Sequence, residues 1–164
     1  MANGVYVRSL LALLISGMLG WPPHALAQHT SLPADVVAPS RENAVIRNQL
    51  TLARKLEHQA LQGIMAMPSD NSIPIDPVSL QAARDAYVLI RAARHGMGWQ
   101  KEAKKYPDPV LDLVYKRVDD AWNLSRWPVD RATWGLERAS YVQGSVQYMT
   151  QAIRLLDQAL VLMP

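Results

Sequence analysis

The clearest helical pattern in the sequence is DRATWGLERASYVQGSVQYMTQAIRLLDQALVLM, residues 130–163. Small or apolar residues recur along it at alternating steps of three and four, the spacing that places side chains on one face of an α-helix. The residues of this stripe are Ala132, Gly135, Ala139, Val142, Val146, Met149, Ile153, Leu156, Leu160 and Met163. A stripe of this length predicts a long helix that packs against its neighbours at a shallow crossing angle.

Three shorter stripes precede it and predict three more helices. With the fourth, they span residues 40–67, 77–97, 109–127 and 130–163. Their predicted core positions are Ile46, Ala53, Leu56, Ala60, Gly63 and Met67, then Leu80, Ala83, Ala86, Ile90, Ala93 and Met97, then Leu111, Val114, Val118, Ala121 and Ser125. Because strand patterns are nearly absent and the connections are short, we expect an all-α fold, an up-down-up-down four-helix bundle.

Local signals set the expected ends of these helices. The second and third both open with Asp-Pro-Val, at Asp76 and Asp108, where an aspartate caps the free N–H groups and proline fits the first turn. Glycines 96 and 98 should end the second helix, Pro128 should end the third, and Asp130 should cap the fourth. Since the fourth helix is then much longer than the third, residues 100–106 are expected to add a helical turn over its end.

The beginning of the chain has the pattern of a secretory signal peptide. Residues 9–21 are apolar and uncharged, too short to span a bilayer comfortably, and Arg8 is the only charged residue before them. Two prolines and the sequence Ala25-Leu26-Ala27 follow, which is a signal-peptidase pattern. We expect residues 1–27 to be removed, so that the membrane is contacted only during export; a retained anchor is the alternative.

The remaining chain has the size of one domain. Removing residues 1–27 from the 164 leaves 137 residues, of which 28–39 read as a flexible lead-in and 40–164 as the bundle. The absence of cysteine excludes thiol chemistry and thiolate metal sites. With Arg8 gone, 16 basic and 14 acidic residues leave a net charge of +2, which is too weak a balance to suggest nucleic-acid binding.

The densest basic and aromatic run is a candidate binding surface. It comprises Arg94, His95, Trp99, Lys101, Lys104, Lys105 and Tyr106. If the glycines form a turn, Trp99 is presented to solvent, where it could contact a protein or an anionic envelope component. The alternative is a solvated loop. Within the same run, His95 and Met97 are a weak candidate pair of copper ligands.

Trp122, Trp127 and Trp134 form a second cluster in the sequence, near the expected connection between the third and fourth helices. We expect these rings mainly to fill space beside the small residues at that end of the bundle. A surface anchor for a partner protein and a small-molecule pocket are the alternatives.

The sequence contains no recognisable catalytic set, so the leading hypothesis is a non-enzymatic, periplasmic or secreted protein without a cofactor. It would bind another macromolecule as an adaptor or small chaperone. A carrier of a small ligand or copper is the alternative hypothesis. The apolar end of the fourth helix, Leu160 to Met163, also suggests a possible homodimer.

Overall fold

The computed structural model describes residues 41–68, 70–71, 73–104 and 107–163. These residues form four helices and no strand, an arrangement compatible with a helical bundle. The helices are α1 (Arg41–Met65), α2 (Pro77–Ala103), α3 (Pro109–Arg131) and α4 (Arg138–Leu162). None of the four has an apolar stretch long enough to cross a lipid bilayer. The predicted signal peptide and lead-in, residues 1–39, lie outside the described residues.

Aspartate caps fix the starts of α2 and α3. The Asp76 carboxylate accepts hydrogen bonds from the backbone N–H groups of Val78 and Ser79 at 3.3 and 2.9 Å. Asp108 does the same for Val110 and Leu111 at 3.1 and 3.0 Å. Both caps satisfy N–H groups that have no partner inside the helix, so each helix begins at the proline that follows its cap.

The expected end of α2 at its glycines is wrong. Gly96 and Gly98 lie inside the helix, which continues to Ala103. A Cβ placed on Gly96 would lie 3.4 Å from the Ile46 side chain, so this glycine faces α1 at close range. Packing against α1 therefore outweighs the roughly 1 kcal/mol that a glycine costs within a helix. The expected extra turn at residues 100–106 is not separate from α2. Its residues up to Ala103 form the last turn of α2 itself.

The expected boundary between α3 and α4 is also wrong. Pro128 lies inside α3, where it is buried and its carbonyl oxygen accepts a hydrogen bond from the Tyr141 hydroxyl at 3.0 Å. Asp130 belongs to α3 as well and pairs with Arg126, so it does not cap α4. The chain turns at Gly135, which has a φ of 64°, and α4 begins only at Arg138. The four helices consequently have similar lengths of 23 to 27 residues.

Hydrogen bonds and ion pairs join the start of one helix to the end of its neighbour, so adjacent helices run in opposite directions. Near the start of α1, Asn43 accepts a hydrogen bond from Gln100 near the end of α2 at 2.9 Å. Lys101 of α2 pairs with Asp112 near the start of α3 at 2.8 Å. The Tyr141 bond joins the start of α4 to the end of α3, and Arg47 donates to the carbonyl oxygens of Leu160 and Met163 at the other end of α4. The main contacts thus pair α1 with α2, α2 with α3, α3 with α4, and α4 with α1.

The buried apolar side chains form two clusters. We call the first the large cluster; its buried members are Ile46, Leu50, Ala53, Ile90, Ala93, Met97, Val114, Val118, Ala121, Ala152, Leu156, Ala159, Leu160 and Met163. The second, the small cluster, lies toward the other end of the helices and comprises Ala60, Ile64, Ala82, Ala83, Tyr141 and Met149.

The predicted stripe of α4 is only partly the buried face. Met149, Ile153, Leu156, Leu160 and Met163 are buried, but Ala139 is exposed and Val142 and Val146 are only half-buried. In the first turns of α4, the buried residues are Arg138, Tyr141 and Ser145. A similar shift occurs in α1, where Glu57 and Ile64 are buried and the expected Leu56 and Gly63 are only half-buried.

A large aromatic side chain accounts for the altered face at the start of α4. The Trp127 ring stacks on Tyr141 and Tyr148, with centroid distances of 6.0 and 5.3 Å. A Cβ on Gly144 would collide with the far edge of this ring. Gly144 therefore makes the space that Trp127 fills, and the two stacked tyrosines restrict any movement of the ring.

We predict opposite effects for two glycine-to-alanine substitutions inside helices. Gly144→Ala should destabilise the fold by about 1–3 kcal/mol, because the new methyl group collides with a confined ring. Gly98→Ala is the matched control: its nearest contact would be the Tyr115 ring at 3.9 Å, an ordinary distance. It should stabilise the fold by up to about 1 kcal/mol through helix propensity. Urea unfolding measures both changes, and equal effects of the two variants would contradict the proposed close approach.

Candidate functional site

The cations of the predicted basic surface are held in ion pairs. Lys101 pairs with Asp112 at 2.8 Å, Lys104 pairs with Asp108, and Arg94 pairs with Asp119. Lys105 and Tyr106 lie outside the described residues. The charges that looked available for an anionic partner are therefore largely neutralised by carboxylates of α3 and of the residue that caps it.

Arg94 is the most enclosed of these cations. Its guanidinium lies over the Trp122 ring, 4.8 Å from the centroid, and 5.8 Å from the Tyr115 centroid. On its far side, Trp122 stacks on Tyr87 at 5.9 Å. Each of these cation–π contacts contributes about 0.5–1 kcal/mol or more where the groups are partly desolvated. Arg94 thus connects α2 to α3 and is a structural residue rather than part of an open binding surface.

The ion pairs also shift protonation equilibria. The hydrogen bond that Arg94 donates to the Asp119 carboxylate raises the pKa of Arg94 above its ordinary value. The bond from Lys104, together with the backbone bond from Leu111, lowers the pKa of Asp108. A competing anion would therefore have to displace a carboxylate from each of these pairs.

The candidate copper ligands point to different sides of α2. Met97 is buried in the large cluster, whereas His95 is exposed. Residues two apart on a continuous helix diverge by about 200°, so the two side chains cannot meet at one ion. The expected turn at the glycines would have allowed them to meet, but the helix continues there. Among the described residues, no group of three or more histidine or acidic side chains could hold a metal ion.

Trp99 is the exposed tryptophan of the predicted surface. Its side chain is 72% exposed, although it is carried by a regular helix and not by the turn that we expected. It lies beside a groove of about 720 Å³ between the first half of α1 and the second half of α2. The groove is lined by Arg41, Glu42, Val45, Ile46, Gln49, Ala92, Gly96, Trp99, Gln100 and Ala103.

Exposed apolar side chains extend this groove along both helices. On α1, Leu52 follows Val45 by seven residues, and on α2, Val88 precedes Trp99 by eleven. Residues that are seven or eleven positions apart lie on nearly the same face of a helix. All four side chains are exposed, and since α1 and α2 run in opposite directions, they form two neighbouring apolar edges. We call this surface the α1–α2 groove.

A second concavity lies next to the α1–α2 groove at the end of the helices. It has a volume of about 410 Å³ and is bordered by the termini of several helices, including Val110, Leu111, Val114, Leu162 and Met163. Glu42, Gln100 and Ala103 line both concavities. An occupant of the groove could therefore extend over the end of α2.

The three tryptophans of the second predicted cluster do not form one pocket. Trp122 packs on Tyr87 under Arg94, and Trp127 packs between two tyrosines of α4. Trp134 lies in the turn after α3 and is 60% exposed, with the Arg131 guanidinium 3.5 Å from its ring centroid. Two of the rings fill space within the fold, and the third is a surface side chain on the loop.

The apolar end of α4 is turned mostly inward. Leu160 and Met163, which suggested a dimer contact, are buried in the large cluster. The exposed residues there are Val161 and Leu162. A homodimer through α4 would have to use this smaller surface.

Sequence reasoning missed two features. The α1 side of the groove was overlooked because Val45 and Leu52 lie outside the core stripe, although two exposed apolar residues seven apart were a usable signal. Nothing in the sequence pattern singled out Glu57, whose side chain is fully buried. The shift of the buried face in α1 was not visible in a pattern rich in alanine.

Comparison of the chain with protein families, with curated proteins and with solved structures finds no match.

We predict that Arg94→Ala lowers the free energy of unfolding by about 1–2 kcal/mol, because it removes a partly buried ion pair and its ring contacts together. Arg91→Ala is the matched control, since Arg91 lies one turn earlier on α2 and is exposed. It should change stability by less than about 0.5 kcal/mol. Thermal or urea unfolding of both variants tests this, and similar stabilities would show that the Arg94 contacts contribute little.

Proposed function

We propose that the protein is a non-enzymatic binding module that captures an amphipathic helix of a partner protein in the α1–α2 groove. It would act as an adaptor or small chaperone. In this proposal residues 1–27 are a signal peptide, the mature chain works in the periplasm or outside the cell, and its four helices form an up-down-up-down bundle.

The observation that carries the proposal is the exposure of Trp99 on a rigid helix beside an apolar groove. Burial of a tryptophan side chain contributes more binding free energy than almost any other contact, and tryptophan is enriched among the residues that dominate protein interfaces. Val45, Leu52 and Val88 enlarge the apolar surface around it. Such a surface costs solubility if it stays uncovered, which favours a partner that covers it.

The shape of the groove favours a helix as the occupant. Two antiparallel helices leave a straight furrow between them, and a third helix fits such a furrow with apolar residues every three or four positions. The separation between Val45 and Leu52 is seven residues, or about 10 Å along the axis, which matches the heptad spacing of a helical partner. Ala92 and Gly96 line the groove with little side-chain volume, so a partner helix has room to approach closely.

The charges favour a protein partner over an anionic lipid or polysaccharide. Arg94, Lys101 and Lys104 already have carboxylate partners, so they offer little net attraction to a polyanion. A partner that binds through apolar contacts does not need those charges. Its affinity for the groove should accordingly depend only weakly on salt.

We predict that Trp99→Ala weakens partner binding by at least about tenfold, because it removes the largest apolar contact of the groove. Trp134→Ala is the matched control, since Trp134 is comparably exposed but lies in the turn after α3. Both variants should melt within a few degrees of the wild type. A photo-crosslinking residue at Ala92 identifies the partner in cells, and binding of the purified partner or its helical segment then measures affinity.

Several outcomes of this experiment would contradict the proposal. If Trp99→Ala and Trp134→Ala bind the partner equally well, the groove is not the contact surface. If crosslinking at Ala92 gives nothing but an adduct of twice the protein's own mass, the groove mediates self-association. Crosslinks formed from Val161 but not from Ala92 would instead support the homodimer through α4.

A carrier of a small apolar ligand is the second candidate function. Its supporting observation is the groove volume of about 720 Å³, which lies within the usual range of small-molecule sites. Organic extraction of protein purified from cells, followed by mass spectrometry, tests it. A stoichiometric ligand that is lost in Trp99→Ala but retained in Trp134→Ala would favour the carrier over the adaptor.

A further inference from the structure

A fully buried carboxyl group lies at the boundary between the two core clusters. The Glu57 side chain has no exposed surface, and its carboxylate oxygens have no hydrogen bond of regular geometry. On α1 it is flanked by Ala53 of the large cluster and Ala60 of the small cluster. Burying a carboxyl group at such a position is costly unless it is paired or protonated.

Two further buried polar groups belong to this region. Ser125 lies on α3 just beyond Ala121, the last large-cluster residue of that helix, and its hydroxyl faces Glu57. Ser145 lies on α4 one turn before Met149, and neither serine hydroxyl has a hydrogen bond of regular geometry. On α2, Ala86 is buried between the two clusters. We call Glu57, Ser125 and Ser145 the polar layer.

No described cation compensates the charge of Glu57. The group that faces it is the Ser125 hydroxyl from α3. Ala86 of α2 and Met149 of α4 are buried apolar residues, and the Ser145 hydroxyl of α4 lies beside the Tyr141 hydroxyl. Tyr141 is a buried titratable group of α4, and its hydroxyl donates to the Pro128 carbonyl. The charges that act on it are those of Arg138 and Arg84. The charged residues at similar height, Arg54 and Arg126, pair at the surface with Asp157 and Asp130.

We propose that the polar layer is a buried proton-binding site that works as a pH-sensitive switch of the helical fold. With the carboxyl group protonated, α1 packs into the core without an uncompensated charge. When the proton leaves, the carboxylate requires water or a cation, and the helices must separate locally to admit it. A protein exposed to the external medium would experience such pH changes directly. This inference is independent of the proposed partner groove.

The direction of the effect follows from proton linkage. Burial raises the pKa of Glu57 from 4.5 to about 7, and the Ser125 hydroxyl lowers it slightly. Between these two values the folded chain holds one proton more than the unfolded chain. The contribution of Glu57 to stability is therefore fully present below pH 4.5 and is lost as the pH rises through about 7.

We predict that the equilibrium constant for unfolding rises roughly 10- to 100-fold between about pH 5 and about pH 8, because of this single group. In Glu57→Gln most of that rise should disappear, since glutamine does not titrate. The exposed Glu102→Gln is the matched control and should retain the wild-type dependence. Urea unfolding at several pH values measures all three proteins.

Direct titration keeps the test decisive if Glu57→Gln does not fold. The chain contains four glutamates, Glu42, Glu57, Glu102 and Glu137, so carboxyl ¹³C labelling of glutamate gives few NMR signals. One signal in the wild type should titrate near neutral pH, with amide shifts of Ser125 and Ser145 following the same midpoint. In Ser125→Ala this midpoint should move upward, because a group that stabilises the carboxylate is gone.

Any of three results would overturn the inference. One is a wild-type spectrum in which all four glutamates titrate near their ordinary value. Another is a Glu57→Gln variant whose stability depends on pH as steeply as that of Glu102→Gln. A neutral titration of Glu57 without any shift at Ser125 or Ser145 would show that the proton moves but the helices do not, which also rejects the switch.

Discussion

The close approach of the helices is the constraint on which the rest of the structure depends. Among the described residues, nine of the 22 buried hydrophobic residues are alanine, and they occur on all four helices. Alanine fills little volume, so the backbones must come near each other to exclude water. Large side chains then fit only where a partner makes room, as Gly144 does for Trp127. Where no room exists, they remain at the surface, as Trp99 does.

This narrow core explains the division between structural and available side chains. Aromatic rings between α2 and α3 and between α3 and α4 are stacked on each other or on Arg94, and they stabilise the helix pairs. Among the described contacts of the α1–α2 pair there is no such ring stack; the close approach of Gly96 to Ile46 and the hydrogen bond from Gln100 to Asn43 join these helices. Its outer furrow consequently stays open and apolar, which is the physical basis for proposing it as the contact surface.

The same constraint gives the polar layer its properties. In a wider core, water could reach Glu57 and keep its carboxylate hydrated. Here the neighbouring helices contribute alanine and serine at close range, so the carboxyl group is fully desolvated and its pKa rises to about 7. The net free energy of unfolding of a domain is only about 5–15 kcal/mol. One buried acidic group in this small core therefore affects the stability of the whole fold.

The sequence by itself determined the helical content, the number of helices and the starts of α2 and α3, because periodicity and Asp-Pro caps act over a few residues. Tertiary structure alone decided that α2 passes through Gly96 and Gly98 and that α3 passes through Pro128, since packing compensates for poor local propensity. It also decided which face of an alanine-rich helix is buried, and hence that Glu57 is inside and Trp99 outside. Ion pairs between helices join residues far apart in the sequence, such as Arg94 and Asp119, which are 25 residues apart. Through such pairs, cations of the predicted basic surface make structural contacts. Such pairings depend on how the helices are placed in space, which no local pattern contains.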